Sequence, residues 1–211
     1  MKIQFVSDIA CPWCAIGLAS LEQALARIGN SIPVDLHFEP YELNPTMPRE
    51  GVETVPYLMQ KYGRTAEQVA QSRERIRERG AAVGFTFGER TWVWNTFDAH
   101  RLLHWAGLEG KQLALKRALL SAYHTRDENP SDASVLKRLC GEAGLDETRA
   151  SEILASDEFA QAVREREAHF QRLGINGVPA IVLDERHLIE GGQPPEVFER
   201  AIRQAAAEAA A

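Results

Sequence analysis

Lys2-Ile3-Gln4-Phe5-Val6-Ser7-Asp8-Ile9-Ala10-Cys11-Pro12-Trp13-Cys14 is the stretch from which the fold is read. Apolar Ile3, Phe5 and Val6 read as a short buried strand, and Ser7 to Ala10 as a turn. From Cys11 the period changes. Cys14, Leu18, Leu21, Leu25 and Ile28 recur at helical spacing, and Gly29-Asn30 supplies a stop. Two thiols therefore stand where a strand gives way to a helix, with Pro12 at the first helical position, where no N–H is needed. Unpaired N–H groups and the helix dipole favour negative charge there, which lowers the pKa of Cys11. Cys14 follows one turn later on the same face, within reach of Cys11. An attacking thiol with a second thiol beside it suits disulfide exchange. Two plainer readings exist. Half a zinc site would want further ligands at matching spacing, and no second C-x-x-C is present. A structural disulfide would go with a secretory signal, and the N-terminus shows none.

Composition narrows the classes. The 211 residues suffice for one large domain or two small ones, and 45% apolar content is ordinary for a chain with a core. A net charge of −6 argues against nucleic acid as the main partner. No apolar run approaches the length of a membrane helix, so no membrane partner is expected. Three cysteines are too few for a disulfide scaffold, and a reducing cytoplasm is the expected compartment.

Val34, Leu36 and Phe38 alternate with Asp35, His37 and Glu39 in a half-buried strand that ends at Pro40, with His37 solvated. Strand, helix and strand in that order make the two strands parallel. Tyr41 to Val52 reads as a loop, broken by Pro45, Pro48 and Gly51. From about Val55 to Leu173 the pattern is almost wholly helical. Thr65-Ala66-Glu67-Gln68 reads as a capping box. The mixed run Arg73 to Arg79 reads as a solvated helix face. Gly84 to Gly88 and Thr91 to Trp94 read as extended. Asn95 or Thr96 caps the next helix.

Ala180-Ile181-Val182-Leu183 and His187-Leu188-Ile189-Glu190 then form an antiparallel hairpin, and Pro194-Pro195 opens a last helix. The Ala205 to Ala211 tail is expected to fray. The implied fold class is α/β, with a large all-helical domain inserted between a βαβ half and a ββα half. The expected divisions are 1–52, 53–173 and 174–211. The insert is expected to cover the face near Cys11.

Val178-Pro179 is the second informative pair. Proline is allowed at the first residue of a central strand, where no ladder bond is needed. An ordinary loop-ending proline is the plain reading, and a cis bond the reading favoured beside a C-x-x-C on a neighbouring strand. His100 and His104, spaced i,i+4, form a conceivable metal pair, but no motif places a further ligand, and no metal is expected. Cys140 shares a stripe with Leu136 and Leu139 and reads as a core thiol. Trp92 and Trp94 read as core aromatics or as walls of a pocket.

Strand–Cys11-Pro12-Trp13-Cys14–helix, with Gly177-Val178-Pro179 before a hairpin, resembles the thioredoxin superfamily, and the long helical insertion resembles its DsbA-like branch. Val6-Ser7-Asp8, Leu43-Asn44-Pro45, Asn95-Thr96 and Ala99-His100-Arg101-Leu102 are similar to the FrnE-like proteins. Those are cytoplasmic relatives of 2-hydroxychromene-2-carboxylate isomerases and kappa-class glutathione transferases. The resemblance spans nearly the whole chain. It implies a thioredoxin fold and a thiol–disulfide oxidoreductase, with Cys11 the nucleophile and Cys14 the resolving thiol. Pro179 would face the disulfide, and the Val178 backbone would pair with an extended substrate. Trp13, Val178 and Pro179 are thus the expected substrate-contacting residues.

The alternative is a glutathione-dependent isomerase or transferase on a small aromatic substrate. Those relatives commonly carry serine where this chain has Cys11, so the two cysteines favour electron transfer. No cofactor is expected beyond the redox pair, with glutathione open as ligand or reductant. The partners are thiol or disulfide substrates, and the oligomeric state is open, a dimer among the options. Trp13 replaces the histidine of a Cys-Pro-His-Cys, removing one charge from beside Cys11 and implying a weaker oxidant.

Overall fold

A computed structural model describes residues 1–210. Its central sheet has four strands: β1 (Lys2–Ser7), β2 (Asp35–Pro40), β5 (Ala180–Leu183) and β6 (His187–Glu190), in the order β2-β1-β5-β6. β1 and β2 are parallel, with Phe5 opposite Phe38. The helix between them, α1 (Pro12–Ile28), supplies the crossover that parallel strands need. β5 runs antiparallel to β1, with Val6 opposite Ala180, and β6 returns antiparallel to β5. α9 (Pro195–Ala209) packs beside α1 on the same face. Ile3, Phe5, Leu18, Leu21, Ile181, Phe198 and Ile202 fill the space between, all at most 2% exposed. Each such side chain contributes about 1.5–3 kcal/mol by leaving water.

The thioredoxin fold is interrupted between β2 and β5, as expected, by a helical insertion. It comprises α2 (Thr54–Tyr62), α3 (Ala66–Ala82), α4 (Phe97–Leu108), α5 (Gln112–Arg126), α6 (Ala133–Glu142), α7 (Glu147–Leu154) and α8 (Ala160–Arg172). Its own core gathers Leu102, Leu115, Leu119, Tyr123, Leu136, Leu139 and Ile153. Capping follows the local sequence. Thr65 and Gln68 form the reciprocal capping box at the start of α3, and the Asp132 carboxylate accepts from the Ser134 and Val135 N–H groups at the start of α6.

Several details differ from the sequence reading. Trp92–Val93, extended as expected, pairs with Val52–Glu53 at the end of the expected loop as a two-stranded sheet (β4 and β3); two residues carry no period that would announce the pairing. Glu39, read as solvent-facing, is only 9% exposed, since Arg166 of α8 and Gln4 of β1 reach over that side of β2. Thr96 is the N-cap residue of α4, yet the oxygen that caps belongs to Asn95, which accepts from Phe97 N–H. α9 continues through Ala209 with Ala205 buried, so the tail is held rather than frayed; Ala211 lies outside the described residues. No described helix is long and apolar enough to cross a membrane.

Candidate active site

Cys11 is the N-cap residue of α1 and Pro12 opens the helix, so Cys11 ends the turn leaving β1. That turn is held by one buried carboxylate. Asp8 accepts from Ala10 N–H at 3.2 Å, Leu43 N–H at 2.8 Å and the Thr96 hydroxyl at 2.8 Å, with His100 Nε2 at 3.4 Å. Burial works to raise the Asp8 pKa, but the His100 hydrogen bond and charge and the other donors outweigh it and hold it below the usual range. Arg90 donates to Ala10 O at 2.9 Å, and His124 Nε2 lies 2.9 Å from Ile9 O. Three separate parts of the insertion thus grip the three residues before Cys11.

The two thiols differ sharply. Cys11 is lowered, first because the Cys14 thiol donates to it, and further by the Cys14 and Trp13 N–H groups; burial and the Asp8 charge oppose this. Cys14, fully buried, is pushed well above an ordinary thiol by burial first, then by donating to Cys11 and by its charge. A thiol made easier to ionise, backed by one held protonated, is the arrangement disulfide exchange uses. Cys11 Sγ also points at the Val178 carbonyl oxygen, 3.5 Å away. The Val178–Pro179 peptide is cis, and Pro179 is buried while Val178 and Trp13 are half-buried. All five residues singled out in the sequence therefore meet at one end of the sheet. Close approach is enforced by glycine: a Cβ on Gly17 would lie 3.1 Å from Pro179 Cγ, and one on Gly192 would lie 2.9 Å from Trp13 O.

A groove of about 220 Å³ opens beside Pro12 and Trp13. α2 and α3 supply Leu58, Tyr62 and Ile76 to its wall, and Arg64, Arg73, Arg77 and Arg90 make it basic. Arg73 donates to Arg90 O at 2.8 Å, tying α3 to the loop that holds Cys11. The Arg73 to Arg79 run is therefore more than a solvated face, since Arg73, Ile76 and Arg77 look into the groove.

The weaker sequence candidates resolve as follows. His100 is buried on Asp8, while His104 packs on Phe159 with ring centroids 5.2 Å apart, so the pair does not converge. No cluster of metal-ligating side chains occurs among the described residues. Cys140 is fully buried and its pKa is pushed up to about 12 by burial. Trp94 is in the core against Tyr123, and Trp92 stacks on Trp94 at its edge. His37 is half-buried and pairs with Asp35.

Sequence reasoning missed Arg90, His124 and Lys116. Lys116 is the most visible in retrospect, because it is a cation beside Leu115 and one turn from Leu119 and Leu120 on α5.

The DSBA-like thioredoxin domain model matches residues 2–203. A crystal structure described as a probable DsbA oxidoreductase from Streptomyces coelicolor is 34% identical, with a TM-score of 0.92 over 99% of this chain and 91% of that one. A 2-hydroxychromene-2-carboxylate isomerase is 14% identical, with a TM-score of 0.76 over 100% and 98% of the two chains. The cytosolic disulfide reductase DsbM of Pseudomonas aeruginosa, solved with GSH, is 16% identical, with a TM-score of 0.68 over 98% and 99%. At the last two identities the likeness is one of fold.

Proposed function

Because the chain belongs to the DSBA-like thioredoxin domain family, we propose that it is a thiol–disulfide oxidoreductase working through Cys11 and Cys14. The observation that carries this is the split between the two thiols: Cys11 lowered at the start of α1 and Cys14 raised behind it. Cys11 thiolate attacks one sulfur of a substrate disulfide and releases the other as a thiolate. Cys14 then attacks Cys11, forming the Cys11–Cys14 disulfide and releasing the second substrate thiolate. The substrate gains two electrons and the protein loses two; run backwards, the same steps oxidise a dithiol.

The basic groove supports anionic thiol or disulfide substrates, and its size suits glutathione or a short acidic peptide segment. Trp13 would form the floor under such a substrate, with the Val178 backbone available for strand-like pairing. No cofactor beyond the cysteine pair is needed for this chemistry, and a cytoplasmic, glutathione-linked setting fits it.

Trapping tests the reading. Incubated with oxidised glutathione, C14S is expected to accumulate a mixed disulfide at Cys11, and C11S to form none. A trap found with C11S in place of C14S would reverse the roles.

A second reading rests on the groove's four arginines, which suit the two carboxylates of a glutathione held for isomerisation or transfer to a small aromatic substrate. It requires that C14S keep full turnover in such an assay. Loss of turnover in C14S favours electron transfer.

A further inference from the structure

Lys116 has no role in the steps above, and its position is unusual. Its side chain is fully buried on α5, and Nζ has no hydrogen-bond partner. The ammonium lies 5.8 Å from the centre of the Phe38 ring. Leu120, one turn along, packs in the same cluster as Cys14 and Phe38. An unpaired buried ammonium costs several kcal/mol in general, which makes the neutral amine easier to reach here than at an exposed lysine. Burial lowers the Lys116 pKa to about 8, with Cys14, Asp8 and Cys11 acting to raise it. The far side of Lys116 meets a separate cleft of about 330 Å³ between β2, α4, α5 and α8, lined also by Glu39, His104, Gln112 and Arg166.

We propose that Lys116 takes the Cys14 proton in the resolving step and passes it to solvent through this second cleft. The proposal rests on the oxidoreductase reading above. In the reduced protein the Cys14 proton is shared with the Cys11 thiolate. Once Cys11 is bonded to a substrate sulfur, that thiolate is gone, and two of the three causes that raise Cys14 go with it. The Cys14 proton then moves to Lys116 in its amine form, the minor form at neutral pH and the major one above about pH 8, on a flexible four-carbon stem. The new Cys14 thiolate attacks Cys11, the bond from Cys11 to the substrate breaks, and the substrate leaves as a thiolate. Lys116 ammonium then releases its proton to the cleft.

The charged neighbours leave this exchange to the lysine and the thiol. On the thiol side, Asp8 is saturated with donors and His124 is held neutral, its pKa lowered to about 3 by burial. On the cleft side, Arg166 pairs with Glu39, His100 with Asp8, and His37 with Asp35, while burial lowers His104.

Reaction of the full chain with 5,5′-dithiobis(2-nitrobenzoate) separates the steps. The first coloured thiolate reports attack by Cys11, and the second reports resolution by Cys14. In K116M the first release should stay within about twofold, and the second should slow roughly a hundredfold at neutral pH. The second release in the unaltered protein should rise with pH and level near the Lys116 pKa of about 8, whereas in K116M it should climb without levelling. An unchanged second release, in rate and in pH profile, overturns the proposal. Absence of the first release from the unaltered protein overturns the oxidoreductase reading, and this proposal with it. If K116M does not fold, NMR of labelled lysine in the unaltered protein decides: a side-chain titration near 8 supports the proposal, and one at the ordinary lysine value of about 10.4 overturns it.

Discussion

Cys11 Sγ lies 3.5 Å from the Val178 carbonyl oxygen, across 167 positions of sequence. The register of β1 on β5 makes this meeting, since Val6 stands opposite Ala180 and each strand carries its key residues just past that pair. A thiol aimed at a carbonyl on the neighbouring strand is positioned by the sheet rather than by its own loop.

The first prediction concerns thiol reactivity. Cys11 is lowered while Cys14 and Cys140 are raised, Cys140 to about 12. Iodoacetamide near neutrality should therefore modify Cys11 first and leave Cys140 unmodified until unfolding. Mass mapping after brief labelling reads this, and early labelling of Cys140 would contradict its burial.

Asp8 offers a test with an unusual sign. Its charge opposes ionisation of Cys11. D8N, which keeps the size of the side chain, should lower the Cys11 pKa further, as followed by thiolate absorbance against pH. D8A leaves the Thr96 hydroxyl and the Ala10 and Leu43 N–H groups without their acceptor. It should cost about 3 kcal/mol or more in denaturant unfolding.

His124 predicts an acid-sensitive fold. Its folded pKa is near 3, with burial the main cause, against an ordinary value of 6.5. Between those values the unfolded chain binds a proton that the folded chain refuses. The stability His124 confers is thus whole above pH 6.5 and lost as pH falls towards 3. The loss amounts to about 5 kcal/mol at most. H124Q, able to donate to Ile9 O but unable to titrate, should flatten the acid limb of a Tm-against-pH curve.

Gly17 tests the fit between α1 and Pro179. A Cβ there already meets Pro179 Cγ at 3.1 Å and Phe5 Cζ at 3.5 Å. G17V should cost about 1–3 kcal/mol by overpacking and slow thiol exchange, because the displaced side chain is Pro179. Full exchange activity in a stable G17V would show that the spacing of α1 from Pro179 is loose.

The groove arginines predict charge selectivity. R73E combined with R77E should raise KM for oxidised glutathione about tenfold, and leave that for uncharged hydroxyethyl disulfide within about twofold. Equal effects on both substrates would place binding elsewhere.

The strand–CxxC–helix opening, the parallel β1–β2 pair, the final hairpin and most helices of the insertion were legible in the residues. Each depends on local signals: a period of two or of three and a half residues, a capping side chain, a proline or a glycine. Such signals act over a few positions and survive in any context. Thr91 to Trp94 was legible as extended, but its pairing with Val52–Glu53 was not, because two residues define no period.

The ionisation of the site belongs to a different level. That Cys11 is lowered could be expected from the helix start, but its largest cause is the Cys14 thiol, and the raising of Cys14 comes first from burial. Asp8 stands in the turn before Cys11, but Arg90 reaches the site from a loop and Lys116 and His124 from α5, and nothing in the local sequence marks those three as its neighbours. Burial and electrostatic coupling depend on distance in space, which the chain order does not encode. The cysteines are therefore named by their motif, while the partners that set their protons are chosen by how the helical insertion packs against the sheet.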